Sequence, residues 1–90
     1  MEKKITYYLI RNRIIGKREK DFHVTDYLFK DGDWVPDKGD VIMDHLVGFD
    51  PSEPAGSPYR IGNMDIMDKI EEISYSDVQR LIEEAKEQDQ

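Results

Sequence analysis

Asp40, Asp44 and His45 place two carboxylates and an imidazole within six residues, the side chains that a divalent cation or a general acid–base pair would use. Their spacing works against both uses. On a helix Asp40 and Asp44 share a face, while His45 lies about 100° around from Asp44, so the three do not converge. The grouping defines one reading, a small metal-dependent enzyme; helix capping and solvation are the reading that the spacing favours. Asp31-Gly32-Asp33 opens in the manner of a calcium loop, but the fifth and twelfth positions of that loop would be Val35 and Ile42, which offer no side-chain oxygen. Ser57 stands between Gly56 and Pro58 with no base nearby in sequence, as a turn residue does. His23 alternates with Thr25, Tyr27 and Phe29 and reads as a strand residue, exposed or hydrogen-bonded across strands. There is no phosphate-cradling glycine loop, no serine-hydrolase elbow and no helical zinc motif. With no Cys, thiol nucleophiles, disulfides and thiolate zinc sites are also absent. These residues predict a chain with no cofactor, no metal and no catalysis of its own.

Charge is the stronger signal. Residues 1 to 20 carry seven Lys or Arg against two Glu, whereas residues 21 to 90 carry six against eighteen Asp or Glu, for a net charge of −7. A field of this kind steers partners together or apart without making bonds. It points to a small acidic interaction or regulatory domain that recognises a basic protein partner, a gross character shared by small inhibitors and immunity-type proteins. The partner-binding candidates are Trp34, Asp37, Asp40, Asp44 and Tyr59, because Trp and Tyr bury much area at little entropic cost and the carboxylates supply complementarity. A third reading assigns single-stranded nucleic acid to the basic amino-terminal strand, with Tyr7 stacking bases and Arg11 and Arg13 meeting phosphates. The acidic balance opposes it at long range.

The elements that must position these side chains are legible in part. ITYYLIRNRII, from Ile5 to Ile15, reads as one strand, with Thr6, Tyr8, Ile10, Asn12 and Ile14 facing the core, and Gly16 to Asp21 as a polar turn. Residues 22–29 and 33–36 form a hairpin about Asp31-Gly32, its second strand held to a sheet edge by Pro36, where pairing with a second copy near Val35 would give a homodimer. Residues 40–48 form a two-turn helix with Asp40 as N-cap and Gly48 just past its end. Residues 50–63 hold three of the four prolines and form a long loop whose second half Tyr59 and Ile61 pin to the body. Lys69 to Ser74 is a short strand, and Ser76 to Glu87 a helix with a capping pair at Ser74 and Asp77, or at Ser76 and Gln79, and an apolar stripe of Val78, Leu81, Ile82 and Ala85. Met43, Met64 and Met67 read as core fillers.

The assembly expected is α+β: a small, mostly antiparallel sheet of three to four strands, with the carboxy-terminal helix and the short middle helix packed on one face. Ninety residues make one domain, with a frayed end at 87–90. No run reaches the roughly 18 apolar residues of a membrane span and no signal segment is evident, so the expected setting is the cytoplasm.

Overall fold

The computed structural model describes residues 2–88. The chain forms β1 (Lys4–Ile10), β2 (Ile14–Lys20), β3 (Val24–Lys30), β4 (Asp33–Pro36), α1 (Val41–Val47), α2 (Met64–Met67), β5 (Ile70–Ile73) and α3 (Tyr75–Gln88). All strands pair antiparallel in one sheet of order β4-β3-β2-β1-β5. The α+β class holds, with five strands where three to four were expected.

The additional strand comes from the amino-terminal segment. The apolar run from Ile5 to Ile15 folds back on itself at Arg11-Asn12-Arg13, where Arg11 and Asn12 take positive φ of 53° and 60° and the Arg13 amide donates to the Ile10 carbonyl at 3.2 Å. Ile10 then opposes Ile14. The segment that reads as a polar turn, Gly16 to Lys20, is strand β2, paired with β1 on one side and β3 on the other. Its charges do not oppose the strand because neighbours neutralise them. Glu19 accepts from Lys3 at 3.1 Å and Lys17 at 3.0 Å, and both ammonium groups hold its carboxyl below the ordinary range. Arg18 grips Asp26 on β3 through Nε and Nη2, at 2.8 and 3.0 Å.

The two principal helices lie on opposite faces of the sheet instead of sharing one. Strand parity puts Tyr8, Ile10, Ile14, Gly16, Leu28 and Ile70 on the face where α1 packs, and the cluster there centres on Ile10, Leu28 and Ile42. Tyr7, Leu9, Ile15, Lys17, Phe29 and Trp34 point the other way. There Leu81, Ile82 and Ala85 of α3 line clefts together with Leu9, Ile15 and Phe29. The physical reason is that β2 and β1 are apolar on both sides, Ile10 on one and Leu9 and Ile15 on the other, and each side needs cover. Val78 carries the deepest burial of the α3 stripe.

The hairpin at Asp31-Gly32 forms as expected, with both residues at positive φ. The capping pair of α3 is Ser74 and Asp77: the Asp77 amide donates to the Ser74 hydroxyl at 3.1 Å and the Ser74 amide to the Asp77 carboxylate at 3.2 Å. Helix α3 is continuous to Gln88, and the remainder of the expected frayed end lies outside the described residues. Among the described residues no helix is long and apolar enough to cross a membrane.

Candidate functional site

Helix α1, the loop of residues 49–63, α2 and β5 together carry the side of the molecule that opposes α3. Its start is set by Asp37. The Asp37 carboxylate accepts from the amides of Val41 and Ile42 at 3.0 and 2.9 Å, whereas Asp40 takes a left-handed φ of 53° and makes no side-chain cap bond. The N-cap expected of Asp40 is thus supplied three residues earlier, because a left-handed residue aims its side chain away from the helix amides. The end of α1 is set by Gly48, at φ 67°, where a Cβ would lie 2.5 Å from the Asn63 amide nitrogen. That close approach lets the loop return onto the helix. Gly62 donates to the Val47 carbonyl at 2.7 Å, Asn63 to Gly48 at 3.0 Å and Asp50 to Arg60 at 2.7 Å. The second half of the loop is pinned as expected, but through its backbone; Tyr59 and Ile61 are 73% and 63% exposed. Asn63 then caps α2, its side-chain oxygen accepting from the amides of Asp65 and Ile66.

The carboxylates on this side divide into two kinds. Asp37 is occupied at α1. Asp50 accepts from the Ser52 hydroxyl at 2.6 Å, from the Ser52 amide and from Asn63, and these bonds, the hydroxyl first, hold its carboxyl below the usual range. Glu53 accepts from the Ser57 hydroxyl at 3.2 Å. Asp40, Asp44, Asp65, Asp68 and Glu72 make no side-chain hydrogen bond or ion pair among the described residues, whose five ion pairs all lie elsewhere; Glu71, opposite Leu9, points to the α3 face. Residues 37–72 hold nine carboxylates against three Lys or Arg.

His45 does not join Asp40 and Asp44. Its Nδ1 meets the Val41 carbonyl at 2.7 Å and its Nε2 accepts from Arg11 Nε at 3.0 Å, so both ring nitrogens are engaged within the chain. Among the described residues no three His, Cys, Asp or Glu side chains gather as a ligand set. Arg11 is held at the turn by its own amide, which donates to the Lys69 carbonyl at 2.6 Å, and it borders a cleft of about 340 Å³ with Asn12, Asp68, Lys69 and Glu71.

No family model, curated protein or solved structure matches this chain.

The aromatic candidates separate. Trp34 is half-buried on the face opposite α1, its ring 5.2 Å from Phe29 and 6.2 Å from Tyr7, with Lys17 Nζ 4.7 Å above it. Tyr59 sits in the loop docked on α1. The structure therefore joins Asp44 with the loop and with α2, keeps Asp40 at the start of α1, and leaves Trp34 on the far side of the sheet. Tyr7, Arg11 and Arg13 do not share a strand face either, since the last two belong to the turn, and Tyr7 packs against Trp34 and Tyr75. The sequence reading missed the apolar part of the α1 side. Met43, Val47, Ile61, Met64 and Met67 are exposed, not core. The signal was in their neighbours: each of the three methionines lies within one residue of an aspartate, in Met43-Asp44, Met64-Asp65 and Met67-Asp68.

Proposed function

We propose that this chain is a small non-catalytic interaction domain that recognises a basic protein partner through the side built by α1, the 49–63 loop, α2 and β5. The observation that carries the reading is the lack of internal neutralisation there: Asp40, Asp44, Asp65, Asp68 and Glu72 stand free of side-chain hydrogen bonds and ion pairs among the described residues, while Lys17, Arg18, Glu19 and Asp26 in the middle of the sheet are paired. Unpaired surface charge repels itself and is retained at a cost to the fold, which a complementary partner would relieve. A setting within the cytoplasm, where basic protein segments are plentiful, accords with the lack of Cys.

Calorimetric titration with an unstructured oligolysine peptide, at low and at near-physiological salt, tests the reading. Binding is expected at low salt and weakens as ions screen it. The combined variant Asp40→Asn, Asp65→Asn and Asp68→Asn should lose most of that binding. Glu53→Gln, which alters an internally bonded carboxylate, should retain it. Absence of heat at both salt concentrations, or equal loss in the two variants, would overturn the proposal.

A further inference from the structure

The free carboxylates of this side are interleaved with exposed apolar side chains, and the pattern specifies more than charge. On α1, Met43 and Val47 are four residues apart and form one stripe, with Asp40 and Asp44 beside it; Ile42, about 100° away, is the residue driven into the core. On α2, Met64 and Met67 share a face in the same way, with Asp65 and Asp68 next to them. The two stripes are contiguous: α1 ends at Gly48, whose hypothetical Cβ would lie 2.9 Å from Met67 Cγ, and the loop bonds Gly62 directly to Val47. Ile61 extends the patch, and Met64 is 70% exposed.

We propose that this surface docks a basic amphipathic helix of the partner protein, an inference that rests on the reading given above. Thioether side chains are flexible and polarisable and adapt to varied apolar ridges, and carboxylates on both flanks match Lys or Arg beside an apolar stripe. The backbone of α1 and of the returning loop is already hydrogen-bonded, and the free strand edge nearby, that of β5, carries none of the residues of this apolar patch, so an occupant seated on Met43, Val47, Met64 and Met67 must satisfy its own backbone as a helix does. A second copy meeting the first through the same patch would place carboxylates against carboxylates. Charge complementarity therefore selects a cationic helix with apolar residues at three- and four-residue spacing.

The probe is a synthetic Leu/Lys amphipathic helix, compared by fluorescence anisotropy with a peptide of identical composition and scrambled order and with a Leu/Glu helix. The Leu/Lys helix should bind at least about tenfold more tightly than the scrambled peptide, and the Leu/Glu helix not at all. Met64→Gln with Met67→Gln should weaken binding about tenfold and leave its salt dependence unchanged; Met43→Gln, on the other helix, should weaken it in the same direction. Asp65→Asn with Asp68→Asn should weaken binding and flatten the salt dependence. All these side chains are exposed, and circular dichroism is the check that each variant is folded. Equal affinity for the ordered and scrambled cationic peptides, with no effect of the Met variants, would overturn the helix assignment and leave recognition of basic partners standing. Failure to bind either cationic peptide would overturn both. Binding of the Leu/Glu helix, or self-association of the free protein that the Met variants abolish, would also overturn it, the latter by assigning the patch to a second copy.

Discussion

Gly16 is where α1 comes nearest to the sheet, and its missing side chain is a packing requirement. A Cβ there would lie 2.9 Å from Ile42 Cδ1 and 3.1 Å from Cγ1, with Ile10 Cδ1 at 3.7 Å. Ile10 and Ile42 have no solvent exposure, so neither can swing outward to make room. Gly16→Ala should therefore destabilise by about 1–3 kcal/mol, the usual result of adding volume to a filled core. Ile42→Val removes the Cδ1 that meets the new methyl and on its own should cost about 1 kcal/mol. The pair should be less destabilising than the sum of the two, with a coupling of about 1 kcal/mol in a denaturation cycle. Strict additivity would show that α1 is not seated on Gly16. The charged residues of the same strand follow a related rule. Arg18 and Glu19 are tolerated in the middle of the sheet because Asp26, Lys3 and Lys17 stand within reach of them.

Among the elements, the start of α1 separates two aspartates that look alike in sequence. Asp37 satisfies two of the four helix amides that have no internal partner, and Asp40 satisfies none while occupying a left-handed conformation that disfavours any side chain. Asp37→Ala should lower stability by about 1–2 kcal/mol, and Asp40→Gly should raise it by up to about 1 kcal/mol, as chemical denaturation would measure. If Asp40→Gly proves the more damaging, the cap belongs to Asp40. The same contrast explains what sequence could reveal. Gly48, Asp31-Gly32 and the Ser74/Asp77 pair are local signals whose residues dictate their own geometry, and the elements they bound were legible. The turn at Arg11-Asn12-Arg13 contains neither Gly nor Pro and sits inside an apolar run, so Asn12, which tolerates positive φ, is a weak local mark of it. Its formation depends on β5 and on the Lys69 carbonyl, residues far along the chain. The residues of the proposed surface follow the same logic: the charge of Asp40 and Asp44 was legible, while the exposure of the methionines was not, because an apolar residue reads as core until the cover it would need is seen to be missing.

If the α1 side recognises a basic partner as proposed, charge couples stability to recognition across the assembled protein. Lys17, Arg18 and Glu19 in the middle of the sheet are paired with neighbours, Asp40, Asp44, Asp65, Asp68 and Glu72 on the α1 side are not, and residues 37–72 hold nine carboxylates against three Lys or Arg in a chain of net charge −7. Such an arrangement lowers the stability of the free fold through self-repulsion, an effect that dissolved salt reduces by screening. The melting temperature of the natural chain should therefore rise with ionic strength. The double variant Asp40→Asn and Asp68→Asn removes two of the unpaired charges from opposite ends of the patch, and neither residue makes a side-chain bond that the amide would break. It should melt about 2–6 °C higher at low salt, gain less from added salt and bind the oligolysine peptide more weakly. Stability and affinity then move in opposite directions, as expected when groups are kept for a partner at the expense of the fold. A variant that loses both melting temperature and affinity would mean that Asp40 and Asp68 support the structure, and the acidic side would lose its claim to be a recognition surface.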